Sequence, residues 1–230
     1  MLFGRFGKRK EHIMYHWVED KVFLNRAYSD CADIVNQLVQ ELKKYEIEAK
    51  MKVVGSKNRN MITQNAKEPI DFDFNLLVDN PDNYQSAKDL KEDIREAFNE
   101  VLSNNGWGDC EDSTSALTTK QMVYKKGNKT PFYIDVCIVK KDKFGLHRLI
   151  HQKTGNINFD RWYWNQVLNS QDIKKKEEVL KPDHWIEVRE AYLQKKNMYL
   201  SRPFDNDHPS FVCYIEAVNE VYYKVQRGCF

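Results

Sequence analysis

The sequence lacks an excess of either charge. Its 36 basic and 34 acidic residues leave +2 over 230 residues, which excludes a polycation that wraps nucleic acid without specificity. Any basic surface must be local. Paired cysteines are also lacking: Cys31, Cys110, Cys137, Cys213 and Cys229 are scattered, odd in number and nowhere in C-x-x-C spacing. That pattern speaks for reduced thiols and against a disulfide framework or a zinc knuckle. No run of about 18 apolar residues occurs, so no membrane is expected among its partners. The opening "MLFGRFGKRK" is basic without the apolar run of a secretory signal, and the expected location is cytoplasmic. Internal repeats, low-complexity tracts, an H-E-x-x-H helix and a G-x-S-x-G elbow are missing too.

What is present is a change of period along the chain. From about Glu11 to Tyr45, apolar residues recur at helical spacing, with Val22, Leu24, Ala27, Cys31, Ile34, Val35, Leu38 and Leu42 in one stripe. This predicts one long N-terminal helix or two. "EAKMKVVGS" reads as a short strand running into glycine, and "IDFDFNLLV" as a stronger strand closed by "DNPDN". A helix follows over roughly Tyr84 to Leu102. "STSALTTKQMVYKKGNKTPFYIDVCIV" then reads as a β-hairpin turning at "KKGNKT". "KFGLHRLIHQKTGNINFD" suggests one more hairpin. From Arg161 onward the pattern is mostly helical, with aromatic anchors. The expected fold class is α+β, a mixed-sheet palm with flanking helices over residues 1–145 and a mainly helical accessory lobe over 146–230.

Side chains alternate along a strand, so Ile70, Phe72, Phe74 and Leu76 take one face while Asp71, Asp73 and Asn75 take the other. Two carboxylates that close repel, and a divalent cation removes the conflict. Mg²⁺ prefers oxygen ligands and commonly takes carboxylates together with nucleotide phosphates. "FYIDV" repeats the device, with Asp135 among residues suited to burial. If the two strands are neighbours, Asp71, Asp73 and Asp135 form the cluster that two-metal phosphoryl transfer needs. Gly55 ends its strand where the backbone turns sharply or approaches a ligand, and Ser56 offers a hydroxyl and an N–H to a phosphate oxygen. Lys57 and Arg59 add positive charge.

A Gly-Ser turn, a D-F-D strand and a lone acid on a later strand resemble the DNA polymerase β-like nucleotidyltransferase superfamily. The match covers residues 52 to 139. The helix before the Gly-Ser strand and the helical remainder are similar to the cyclic-oligonucleotide-synthase and oligoadenylate-synthase branch. The chain is short for that branch, and its Gly-Ser to Asp spacing is long. The resemblance implies that Gly55, Ser56 and Lys57 bind the triphosphate of an NTP such as ATP. It implies that Asp71, Asp73 and Asp135 are the catalytic metal ligands for two Mg²⁺ ions, Asp135 also helping to deprotonate the acceptor hydroxyl. The implied activity moves a nucleoside monophosphate to a nucleotide, an RNA end or a small molecule, with pyrophosphate released.

Weaker signals are set beside these. His12 and His16 have the spacing of two zinc ligands on a helix but no third ligand nearby. His147, His151 and Cys137 read as ordinary polar or buried residues of strands. Trp162, Trp164, Trp185, Tyr192, Tyr222 and Tyr223 read first as packing, with one of them a candidate wall for a nucleobase. Ser113, Ser115 and Lys120 border the expected cleft. Two other readings remain at this stage: a nucleotide sensor without turnover, and a nucleic-acid-binding module using Lys174, Lys175, Lys176 and Lys181.

Overall fold

A computed structural model describes residues 14–79, 81–167, 171–200 and 209–229. In chain order its elements are β1 (Tyr15–Trp17), α1 (Lys21–Glu41), β2 (Ala49–Val53), α2 (Gly55–Asn58), β3 (Thr63–Asn65), β4 (Ile70–Val78) and α3 (Ala87–Asn104). There follow β5 (Glu111–Asp112), β6 (Leu117–Thr118), β7 (Phe132–Asp142), β8 (Gly145–Gln152), β9 (Arg161–Gln166), α4 (Gln171–Leu180), α5 (Trp185–Tyr199) and α6 (Ser210–Gln226). The mixed α+β architecture is the expected one. None of the described helices is long and apolar enough to cross a membrane.

The chain divides into two compact units. The larger holds residues 17–62 and 67–171, and the smaller holds the described parts of 1–16, 63–66 and 172–230. The division at 171/172 lies beyond the expected boundary near 146, for a physical reason. β8 pairs with the C-terminal half of β7, and β9 pairs with β8, so both extend the sheet of the larger unit. In "RWYWNQ" every second residue is aromatic. That is the alternation of a strand, where helical patterning had been expected from Arg161.

The sheet of the larger unit has seven strands, ordered β2-β4-β7-β6-β5 with β8 and β9 off β7. β4 and β7 run parallel at its centre, and the other pairs are antiparallel. One face is covered by α1 and α3. The Asp20 carboxylate caps α1 by accepting from the Phe23 amide at 2.9 Å, so the helix starts at Lys21 and not near Glu11, where helical spacing was read to begin. Ser86 caps α3 by accepting from Asp89 N at 3.1 Å. Phe23, Ala27, Ile34, Leu38, Leu90, Ile94 and Phe98 of these helices bury against Phe72, Phe74, Ile134 and Val136 of the central strands. Each of these side chains larger than Ala27 contributes about 1.5 to 3 kcal/mol on burial. Every second residue of β4 and β7 is thereby committed to the core, and the intervening side chains must face the other way.

A buried polar cluster ties the sheet margin to α3. The Lys91 ammonium, 2% exposed, lies 2.6 Å from Asp112 Oδ1 and donates to Ser113 O at 2.9 Å. His151 bridges Asp112 Oδ2 at 2.5 Å and Asp160 Oδ2 at 2.9 Å, and its ring stacks on Trp162. Burial pushes the Lys91 ammonium below its usual range. Burial also works against the Asp112 carboxylate, but Lys91 and His151 more than offset it and hold it below the usual range. A carboxyl lowered on folding adds stability above its unfolded pKa and loses it as pH falls through the folded value. Asp112→Ala strands a buried ammonium and should cost about 3 kcal/mol in urea unfolding at neutral pH. The gap to wild type should narrow in acid, below pH ~4.

In the smaller unit β1 pairs with β3, and α5 packs on α6 through Val188, Tyr192, Tyr214, Ala217 and Val221. His16 stands on β1, a strand, so helical spacing to His12 does not apply; His12 lies outside the described residues. Lys196 is 6% exposed, donates to Thr63 Oγ1 at 2.8 Å and lies over the Tyr15 ring. On α4, Lys176 pairs with Asp172 and Asn219, and just past its end Lys181 pairs with Glu177, so Lys174 and Lys175 are left as the outward charges of those four lysines.

Candidate active site

The open face of the central strands carries the acids. Burial alternates residue by residue along β4, with Ile70, Phe72, Phe74 and Leu76 inside, Asp71 exposed and Asp73 half-buried. β7 is the direct parallel neighbour, and the register sets Asp73 opposite Asp135 and Asp71 opposite Tyr133. Two like charges therefore face each other across the middle of the sheet, an arrangement that by itself destabilises a strand pair. Burial pushes the Asp135 carboxyl up, and the Thr118 hydroxyl and the positive charge of Arg148 work against that rise.

The Gly-Ser turn lies against Asp73. The Val54 amide donates to Asp73 O at 2.9 Å, and Gly55 follows with φ +66°. A Cβ at Gly55 would fall 1.8 Å from Asp73 Oδ2. Glycine is thus required twice, for the left-handed backbone and for the space the carboxylate occupies. Gly55–Asn58 makes a single helical turn, closed by Met61 N donating to Ser56 O at 2.9 Å. Lys57 leans on α1, its ammonium 4.8 Å from the centre of the Tyr28 ring and 3.4 Å from Asn25 Oδ1.

The six residues singled out in the sequence therefore fall on two adjoining strands and the turn that abuts one of them. As donors the three acids suit a hard dication, all oxygen and all from one sheet face. They are not gathered into a ready cage: among the described residues no three His, Cys, Asp or Glu side chains stand close enough together to hold a metal. Asp135 Oδ1 accepts from Thr118 Oγ1 at 2.6 Å, and Asp73 rests on Gly55.

Two residues on the acid face were not foreseen. Thr118 sits on a two-residue strand opposite Asp135, and its hydroxyl also meets Ser113 Oγ at 3.0 Å. Periodicity carries no signal over so short a strand. Arg148 sits on β8, where Leu149 enters the core and Arg148 alternates with it. Cys137 shares the acid face, but burial raises its thiol pKa to about 11, which leaves it an inert packing residue as expected. Trp162 and Trp164 pack against the core beneath the sheet, in register with His151 and Leu149. That takes both away from the acid face as walls for a base.

No family model and no curated protein matches the sequence. Solved structures do resemble the fold. One is the CD-NTase CdnG of Bradyrhizobium diazoefficiens in complex with GTP, with 14% identity, a TM-score of 0.55 and coverage of 86% of this chain and 65% of that one. Another is CdnC of E. coli MS115-1 with ATP, at 16%, 0.55, 90% and 62%. A third is the Vibrio cholerae DncV cyclic AMP-GMP synthase with the linear intermediate 5′ pppA(3′,5′)pG, at 12%, 0.54, 76% and 47%. The chain spans less than two thirds of the length of each. Its fold is the nucleotidyltransferase-type fold of these cyclic-dinucleotide synthases, in keeping with the resemblance read from Gly55-Ser56, Asp71-x-Asp73 and Asp135.

Proposed function

We propose that the protein is a nucleotidyltransferase. It moves a nucleoside monophosphate from an NTP to a hydroxyl and releases pyrophosphate, in a Mg²⁺-dependent reaction. The observation that carries this reading is Asp73 set opposite Asp135 on neighbouring strands, with Asp71 on the same face and Gly55 packed against the Asp73 carboxylate. Stability alone does not favour facing carboxylates in the middle of a sheet. A phosphate-transfer site that takes up a dication does.

Asp71, Asp73 and Asp135 would hold the metal. When bound, Mg²⁺ supplies charge neutralisation for the triphosphate and a lower pKa for the attacking hydroxyl. The turn at Gly55 and Ser56 orients the triphosphate, with the Lys57 ammonium adding charge from the α1 side. The acceptor oxygen forms a bond to the α-phosphorus as the bond between that phosphorus and the bridging oxygen to the β-phosphate breaks. The electron pair leaves with pyrophosphate. Thr118 fixes Oδ1 of Asp135, which leaves Oδ2 to take the hydroxyl proton. Burial raises the pKa of that carboxyl, which suits a proton acceptor. Among hydroxyl acceptors we favour that of a second nucleotide, because one structural neighbour was solved with a linear dinucleotide.

One observation favours nucleotide binding without turnover instead: the three acids are not drawn together into a coordination cluster. The two readings separate in one experiment. The purified protein is incubated with each radiolabelled NTP and Mg²⁺, singly and in pairs, and products and pyrophosphate are resolved by chromatography. A new labelled species with stoichiometric pyrophosphate is expected. Mg²⁺-dependent NTP binding with neither product would establish the sensor.

A further inference from the structure

Arg148 is half-buried, and its Nε atom is fully shielded from solvent with no hydrogen-bond partner among the described residues. Its cross-strand neighbours are Val139 on β7 and Asn165 on β9, so no acid stands directly beside it in the sheet. Val139 lies four positions along β7 from Asp135, about 13 Å of strand. Arg148 stands opposite Val139, and Val139, Cys137 and Asp135 alternate with the core residues of β7, so Arg148 shares the sheet face of the acids. A guanidinium whose Nε is shielded from water without a bonded partner is costly, and an anion that reached it would offset that cost.

We propose that Arg148 is a substrate-binding residue whose guanidinium takes oxygens of the NTP polyphosphate on the acid face of the sheet. This rests on the transferase reading and adds to it a phosphate contact from β8, independent of the turn at Gly55. Among the side chains that ionise, a planar fork of N–H donors fits phosphate best, bonding two oxygens at once where an ammonium acts as a point charge. It also adds positive charge to the sheet face whose carboxylates would otherwise repel the incoming polyphosphate. Sequence alternation places Leu146, Arg148 and Ile150 together on that face, opposite the core residue Leu149.

The test uses inorganic tripolyphosphate with Mg²⁺, titrated calorimetrically into the full chain. Wild type should bind, Arg148→Gln should bind at least tenfold more weakly, and Arg148→Lys should lie between them. The melting temperature of ligand-free Arg148→Gln should match or exceed that of wild type, because the variant removes an uncompensated charge. The rise in melting temperature that tripolyphosphate gives wild type should be lost. Tripolyphosphate affinity of Arg148→Gln within twofold of wild type would overturn the proposal. So would a lowered melting temperature of ligand-free Arg148→Gln with affinity unchanged, which would make Arg148 a structural counter-charge. Labelled product in the NTP incubation is a separate readout. If wild type forms product while Arg148→Gln binds tripolyphosphate normally, only the Arg148 assignment falls; if wild type neither forms product nor binds tripolyphosphate, both fall.

Discussion

Asparagine at position 73 is expected to cut product formation by about 1,000-fold while leaving the fold as stable as wild type, or more so. The change removes one negative charge and almost no volume. Metal ions at such sites supply several kcal/mol of transition-state charge stabilisation, and each 1.36 kcal/mol is a factor of ten in rate, so losing a ligand costs about three decades. Stability should move the other way. Asp73 faces Asp135 across the β4–β7 pair and stands two residues from Asp71 on one face. Deleting the middle charge of the three relieves repulsion in the folded sheet. Turnover measured with the labelled-NTP assay, beside urea unfolding of the same preparations, tests both halves. Retained turnover would remove Asp73 from the chemistry. A large loss of stability would make it a structural residue.

How much of this arrangement was legible depends on the length of each element. β4 spans nine residues with strict alternation, so its limits and its two faces could be read directly, and the acids followed from the same pattern. α3 has five apolar turns and a serine cap, and its expected span was close to the observed one. Three-residue β3, "TQN", has no apolar residue to signal it, and β5 and β6 are shorter still. Thr118 was therefore passed over, although it holds Asp135. The division between units was displaced for a related reason. Trp162 and Trp164 are large enough to anchor either a helix or a sheet, and only their spacing of two, set against His151 and Leu149, shows which. Register is what no single segment can disclose: that β4 and β7 adjoin in parallel, with Asp73 opposite Asp135, depends on which strands meet. The sequence carried that only as a condition.

Alanine at Gly55 should be the most damaging single-methyl change in the larger unit. At φ +66° a side chain costs roughly 1 to 2 kcal/mol from the backbone alone. The added carbon would also lie 1.8 Å from Asp73 Oδ2 and 2.6 Å from its Cγ, so either the turn or the carboxylate must move by more than an ångström. The Asp73 backbone cannot yield, since its strand is locked by Phe72 and Phe74 in the core and its carbonyl accepts from Val54 N, so the displacement falls on the carboxylate and the turn. A shift of about 1 Å in a catalytic group costs on the order of 100-fold in rate. Gly55→Ala should therefore lose about 100-fold in product formation and melt at a lower temperature. This contrasts with Asp73→Asn, which should lose rate without stability. The double variant separates the causes. With the charge at position 73 already gone, adding Gly55→Ala should lower stability further but reduce the residual rate by far less than 100-fold, because both changes act through one carboxylate. Full multiplication of the two rate losses would instead assign Gly55 a contact with the substrate that does not pass through Asp73.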